Sequence, residues 1–413
     1  MREEVISGSI KGVKLERAIE YLTYAMILLF YTGKVFQVFT VLIDILFIVL
    51  VYVRKEKVFF QEHQKLIYAF SVLFVYFAIQ SLFAVDIRAA LLNSLGMVRF
   101  VILFFALWYV FDSSEKVKRL IYSVYIIIGL LFLDASYQYV TGKDIFGHVP
   151  VGVRLTAWDS KAKLGMFVAV FAGIVVASVE ILQKKWLAWL SVIILFLIVV
   201  FSGNKGPVVY LSGAVFVVLL LSKTYRKYLF PTLTAIAILL ATAIMTNDGI
   251  SARFHQFTNP LSAKNTSGRN QIYETSIEMI KAHPLLGVGA RNFRVVFPDY
   301  YLIVYNKKEK KDYYDEHYLT NPQIHTHGMF FAFLVNWGLI GTLMFFYILY
   351  LIYKKHIRNN DIALLASIGL IYCVAPFNFG NTIARSQWQF YIFLTLAFIV
   401  ILGNFKYFKK KEV

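Results

Sequence analysis

Apolar runs and short polar connectors alternate along most of the chain. A coiled apolar run of about 17–25 residues matches the hydrocarbon thickness of a bilayer. Twelve such runs are read, near 16–33, 35–53, 66–85, 89–111, 119–140, 162–182, 186–202, 206–222, 229–246, 325–353, 361–379 and 387–405. The seventh and eighth are the shortest and meet at SGNKGP, Ser202 to Pro207, so they form either two spans or one broken, re-entrant element. The pattern stops once, over 247–324, which is polar and holds Arg269, His283, Arg291 and Arg294, with His325 and His327 just after it. The predicted fold is an all-α polytopic membrane protein of about twelve transmembrane helices. Nine lie in 1–246, a large helical loop occupies 247–324, and three follow in 325–413.

Within the loop, Ser267 is placed to cap a helix whose apolar positions Ile272, Tyr273, Ile277 and Ile280 recur at helical spacing. His283-Pro284 ends that helix, and Gly287 and Gly289 make a turn. The tyrosine-rich stretch from Phe297 to Tyr318 reads as an interfacial lid, since tyrosine favours the headgroup level.

Composition supports the membrane class: 59% of the residues are hydrophobic, more than a soluble core absorbs. The formal net charge of +18 would ordinarily raise nucleic acid as a partner. Here the basic residues sit in alternate connectors instead. Arg54, Lys55, Lys57, Lys65, Lys116, Lys118, Arg119, Lys184, Lys185, Lys223, Arg226, Lys227, Lys354, Lys355 and Arg358 fall on one side, together with both termini; they make up more than half of the 42 Lys and Arg residues. Basic connectors stay in the cytoplasm. Both termini are therefore expected inside and the 247–324 loop outside, with the bilayer and not nucleic acid as the partner. The first apolar run is long and lacks a small-residue cleavage site after it, so it is expected to remain as a helix. The single cysteine, Cys373, excludes an intramolecular disulfide and a cysteine-based metal cluster.

Basic residues are scarce on the outer side, so those present need a reason. Arg88, Arg154, Lys205, Arg269, Arg291 and Arg385 lie at or near that surface. Arginine suits a phosphorylated ligand because its planar fork makes two bonds to one phosphate. For Arg291, Arg294 and Arg385 taken singly, a solvated loop charge is the simpler reading. His325 and His327 stand at the start of the tenth run, where an imidazole is able to take a proton near neutral pH. On a regular helix they would point about 200° apart, leaving one as the active group and the other as its support. A metal at His-x-His is not expected, because Asp315 and Glu316 show no ligand spacing. Asp44, Arg99 and Asp134 fall inside apolar runs and read as a buried charge pair between helices, with a proton relay as the alternative. Asp86 reads as a turn residue or a base.

Three segments occur in order: the SGNKGP connector, GRNQIYETSIEMIKAHPLLGVGARNF, and IHTHGMFFAFLVNWGLIG. Together they resemble the O-antigen ligase and O-antigen polymerase superfamily of bacterial membrane glycosyltransferases, most specifically in HPLLGVG and in the His-x-His helix start. The likeness covers about the last half of the chain. Members typically carry Arg in the connector, Asn after the second His and Glu in the Glu-x-Gly-x-x-Gly segment. Here Lys205, Gly328 and Asn336 stand at those places, and Arg154 in VGVRLTAW resembles the family's Arg-Leu-x-Gly arginine without the Asn that follows it.

The resemblance implies a metal-independent, cofactor-free GT-C type enzyme at the periplasmic face of the bacterial inner membrane. Its donor would be an undecaprenyl-diphosphate-linked glycan and its acceptor, in a ligase, lipid A–core. His327 would be the base with His325 as support or replacement. Arg269, Lys205 and Arg154, joined by Arg88 and Arg291, would hold the diphosphate. A repeat-unit polymerase or a protein O-oligosaccharyltransferase would use the same chemistry on another acceptor. A lipid or sugar transporter is the alternative outside enzymes.

Overall fold

The computed structural model describes residues 2–32, 34–158, 163–255, 269–307, 318, 325–376 and 382–411. Helices α1 (Arg2–Leu29), α2 (Val35–Arg54), α3 (Val58–Glu62), α4 (Gln64–Ser81), α5 (Ile87–Gly96), α6 (Val98–Val110) and α7 (Ser114–Thr141) open the chain. Next come α8 (Leu164–Val170), α9 (Ala172–Ile181), α10 (Lys185–Phe201), α11 (Lys205–Leu221), α12 (Leu229–Thr246) and α13 (Asp248–His255). The polar segment contributes α14 (Arg269–Ala282) and α15 (Phe293–Asn306). The chain closes with α16 (Met329–Ile352), α17 (Asp361–Val374), α18 (Ser386–Gly403) and α19 (Phe405–Lys411). Among the described residues the only bridge of β type is the isolated pair Val151 and Arg154.

Among the described residues, eight stretches are long and apolar enough to cross a membrane: Val35–Arg54, Gln64–Ser81, Ile87–Val110, Ser114–Thr141, Leu164–Ile181, Arg226–Thr246, Met329–Ile357 and Ser386–Lys409. Three more helices, α10, α11 and α17, are apolar but shorter. Eight is thus the number that length and apolarity support, against the twelve runs in the sequence. The seventh and eighth runs are two separate helices, split where Gly203 takes a left-handed φ of 68°. The innermost helix is α18, which packs on α17, α6 and α9; its apolar side chains are buried almost all round. In contrast α12 buries only Leu229 and Ala243.

Charged residues inside the apolar runs separate into two roles. Asp44 on α2 and Arg99 on α6 act on each other electrostatically, and Arg99 also lies 4.6 Å over the Phe100 ring. Asp134 does not join them. Its Oδ1 accepts the Ile145 amide at 2.9 Å and anchors the loop that follows α7. Asp86 caps α5, its Oδ1 accepting Ala89 N at 2.8 Å.

The polar segment builds a second small core. Ile272 and Met279 of α14 meet Phe293, Val296, Phe297, Tyr301 and Tyr305 of α15, together with Val288 and Val335. The apolar stripe on α14 is rotated from the sequence expectation: Gln271, Thr275 and Ser276 are buried, while Ile277 is 41% exposed. Thr275 and Ser276 satisfy their hydroxyls on the backbone four residues earlier, which lets them face inward. The first half of the tyrosine-rich stretch is this packed helix and not a lid: Phe297 and Tyr301 are fully buried. Residues 308–317, with Asp315 and Glu316, lie outside the described residues, as does Ser267.

This unit is locked to the helix bundle by two matched breaks. The long helix α16 is interrupted at Gly338, with φ 65° and ψ −175°. The turn after α14 carries Gly287 at φ 67°. Each break supplies what the other lacks: Val288 N donates to Val335 O at 2.7 Å, Leu339 N to Pro284 O at 2.9 Å and Ile340 N to Leu285 O at 3.2 Å. Helix α4 completes the joint. Gln80 Nε2 donates to the carbonyls of Leu286 and Asn336, and Tyr76 OH donates to Trp337 O at 2.6 Å. A Cβ on Gly338 would lie 2.2 Å from Leu285 O, and one on Gly287 would lie 2.5 Å from Val335 O, so both places demand glycine.

Candidate active site

His325 and His327 precede α16 and belong to a loop. The helical geometry that would turn them apart therefore does not apply. Their rings lie 4.0 Å apart, tilted by 32°. His327 sits at φ 53°, a left-handed conformation that non-glycine residues adopt at some cost. What holds it there is local. Tyr273 OH of α14 donates to His327 O at 3.1 Å, and the Tyr273 ring stacks on Phe331 at 4.9 Å. Thr326, fully buried, donates to Gly328 O at 3.1 Å, and Phe330 N donates to Pro376 O at 3.0 Å.

The pair lies beside cations. Arg385 Nη2 stands 3.5 Å from His325 Nδ1. His327 is pushed down to about 4, first by burial and then by the positive charges of Arg269 and Arg385. It is thus neutral at pH 7 and free to accept a proton. Its buried Nδ1 has no hydrogen-bond partner among the described residues.

Arg385 also lines a cavity of about 210 Å³ with Arg291, Lys34 and Lys163, between the first turns of α2, α8 and α18. Four cations surround this hollow, with no carboxylate in the lining among the described residues, an arrangement suited to an anion. Polar groups set its walls: Gln37 Nε2 donates to Ser386 Oγ at 3.2 Å, Lys163 Nζ to Gln387 Oε1 at 3.4 Å, and Gln387 Nε2 to Tyr391 OH at 2.7 Å. Both arginines are carried on pinned loops. Asn93 Nδ2 donates to Ala384 O at 3.0 Å and Gln389 Nε2 to Ile383 O at 2.8 Å, which fixes the chain just before Arg385. Asn292, fully buried, accepts Asp86 N at 2.6 Å and donates to Asp86 O at 3.2 Å. That clamp holds the neighbouring Arg291 at φ 61° with its side chain exposed.

Arg154 and Lys205 form another corner. Gly203 approaches Val153 O and Arg154 Cα so closely that a Cβ there would lie 2.8 Å from the carbonyl. The loop bearing Arg154 is held by Gln138, which donates to Thr156 Oγ1 at 2.7 Å and His148 O at 3.0 Å, and by Tyr31, which donates to Thr156 O at 2.6 Å. This corner borders the cavity through α8, since Gly165 packs on Ser202 and Lys163 lines the hollow. Arg88 is exposed on the first turn of α5 and does not line the cavity.

Of the residues read from the sequence, Arg269, His325 and His327 come together and Arg291 reaches the neighbouring hollow. Arg385, read singly as a solvated charge, is the hinge between histidines and cavity. Lys34 and Lys163 were legible only as two of the few basic residues on the outer side.

Residues 190–346 match a family model described as O-Antigen ligase. In this segment the chain is similar to the O-antigen ligase and polymerase superfamily. The segment runs from α10 into α16 and holds Lys205, Arg269, the 283–289 turn, both histidines and the Gly338 break. Members of that superfamily are glycosyltransferase-like enzymes, and the apolar helices of this chain fit a multi-pass membrane protein. Arg385, Lys34 and Lys163 lie outside the match, so their place in the site rests on geometry. No curated protein matches the chain.

Proposed function

We propose that the chain is an O-antigen ligase that transfers a glycan from undecaprenyl diphosphate to lipid A–core at the periplasmic face of the inner membrane. The observation that carries this reading is the His325–His327 pair, with His327 held neutral, set beside a hollow lined by four cations. The diphosphate of the donor occupies the hollow, held by Arg385, Arg291 and Lys163, with Arg269, Arg154, Lys205 and Arg88 around its approach.

His327 takes the proton of the acceptor hydroxyl as the oxygen forms its bond to the anomeric carbon. The bond from that carbon to the diphosphate oxygen breaks on the opposite face, and the electron pair leaves with the diphosphate, so the configuration inverts. Preorganised cations stabilise the charge that grows there. Donor binding also tunes the base. With pKa about 4, His327 is a weak base in the empty site. A bound diphosphate offsets the charges of Arg269 and Arg385, raising its basicity when the proton has to move. No metal or cofactor is used in this reading. The donor is lipid-linked because nucleotide sugars are absent on that side.

The test is product analysis with purified full-length protein, a synthetic undecaprenyl-diphosphate-linked glycan and purified lipid A–core. Glycosylated lipid A–core from wild type, and none from His327→Ala, supports the ligase. Extension of the donor glycan itself, with lipid A–core untouched, replaces it with a repeat-unit polymerase.

A further inference from the structure

A second cavity lies at the other end of the molecule, where the proposed transfer chemistry has no use for it. It measures about 510 Å³ and is lined by Gln61 to Leu66, Trp108, and residues of the segment 351–356. Helix α16 runs from the histidine loop to this cavity, a rise on the order of 40 Å. The lining joins connectors that are far apart in sequence, with Lys65 on one wall and Lys354 and Lys355 on the other, and one carboxylate, Glu62.

Three features show that this is a built site and not a gap between helices. First, α16 ends in a π turn, Tyr353–Ile357, closed by Arg358 N donating to Tyr353 O at 3.0 Å. Wide turns of this type interrupt helices most often at functional places. Second, His356 lies in the lining with 8% of its surface exposed; its ring interacts with the Asn404 side chain, yet its Nε2 has no hydrogen-bond partner within bonding geometry among the described residues. A buried ring nitrogen without a partner is costly unless a ligand supplies one. Third, Trp108 forms an aromatic partition. The His63 ring stands 3.9 Å from it and the His356 ring 5.0 Å, while Lys355 Nζ lies 5.5 Å over its face. His63 is itself fixed, its Nδ1 within 2.6 Å of Phe59 O.

Each wall therefore combines cationic with apolar groups, Lys65 with Leu66 on one and Lys354 and Lys355 with Leu351 and Ile352 on the other. A ligand that meets both walls at the end of membrane-spanning helices has a phosphate and a hydrocarbon chain. We propose that this cavity binds the phosphate headgroup of an anionic phospholipid from the leaflet opposite the candidate active site. Lys65, Lys354 and Lys355 neutralise the phosphodiester, His356 Nε2 donates to one of its oxygens, and the acyl chains leave along Leu66 and α4. These lysines serve as more than a topology signal: three of them converge on one ligand. The inference rests on this end of the fold alone and is independent of the reaction at the other end.

Native mass spectrometry of the delipidated full-length protein in detergent tests it, with phosphatidylglycerol, phosphatidylcholine and glycerol phosphate as probes. Wild type is expected to retain one phosphatidylglycerol about tenfold more tightly than phosphatidylcholine, on the scale that attraction of a few lysines for anionic lipid produces. The combined variant Lys65→Gln, Lys354→Gln and Lys355→Gln loses that preference. Lys223→Gln with Lys227→Gln, at the same end but outside the cavity, keeps it. His356→Leu weakens phosphatidylglycerol retention with the lysines intact. Equal retention of the two lipids by wild type overturns the proposal, as does equal loss in the Lys223/Lys227 variant. Glycerol phosphate binding as tightly as the lipid overturns the lipid assignment.

Discussion

At the scale of single residues, the chemistry depends on how one imidazole is surrounded. Burial, Arg269 and Arg385 hold His327 down near 4, so it stays unprotonated through the neutral range. The acid limb of kcat/KM, which reports the free enzyme, should lie near pH 4, with activity flat above about pH 5. Removing a neighbouring positive charge lets the pKa rise toward the ordinary histidine value. Arg385→Gln is therefore expected to move that limb upward in pH while also weakening donor binding, read as a higher KM. An unmoved limb in Arg385→Gln would disconnect this arginine from the base. His327→Ala should lower the rate by roughly 10²–10⁴-fold, the usual worth of a positioned base.

At the scale of elements, the joint between the 283–289 turn and the Gly338 break places the polar unit over the bundle. Gly338→Ala sets a Cβ against Leu285 O in a left-handed backbone. Strain of about 1–3 kcal/mol is the expected minimum, visible as a lowered thermal midpoint in detergent. Gly213→Ala, inside α11 with open space around its Cβ, is the control and should not lower the midpoint, since alanine favours a helix over glycine by about 1 kcal/mol. Asn292→Ala removes the partner of the Asp86 amide, while the Asp86 carbonyl keeps Ala90 N, and should cost about 1 kcal/mol. It should also raise KM, because Arg291 loses its clamp.

Much at this scale was legible in the sequence. Gly287 and Gly289 marked the turn and Pro284 the end of α14, whereas the break at Gly338 was not read, because NWGLIG lies inside one apolar run. That the breaks fit each other was not legible, because backbone pairing across some fifty residues leaves no pattern in composition. The stripe on α14 was misjudged for a related reason: Thr275 and Ser276 look polar but bury well once their hydroxyls bond the helix backbone. Arg385 was missed because one arginine in a connector resembles any other until the chain brings it to His325.

At the scale of the whole molecule, the two ends differ in chemistry. Histidines and the arginine-bearing hollow lie at one, and the lysine-rich cavity and π turn at the other. The proposed topology, read from the alternation of basic connectors, puts the first in the periplasm. Cysteine labelling in intact cells checks this with little background, since the native Cys373 is fully buried. Lys281→Cys on α14 should react with an impermeant maleimide in intact cells with a permeabilised outer membrane, and Lys223→Cys only after lysis. The reverse result would invert the topology and remove access to periplasmic donors. The central claim is that the arginine-bearing hollow and His327 together cleave a lipid-diphosphate-linked glycan donor in transfer to an acceptor. Its most direct measurement is acceptor-dependent release of undecaprenyl diphosphate from the synthetic donor by purified wild type, His327→Ala and Arg385→Gln. The account predicts release by wild type, loss of at least about 10²-fold in His327→Ala, and reduced release with a raised KM in Arg385→Gln. Release at the wild-type rate by His327→Ala, or no acceptor-dependent release by wild type, would contradict it.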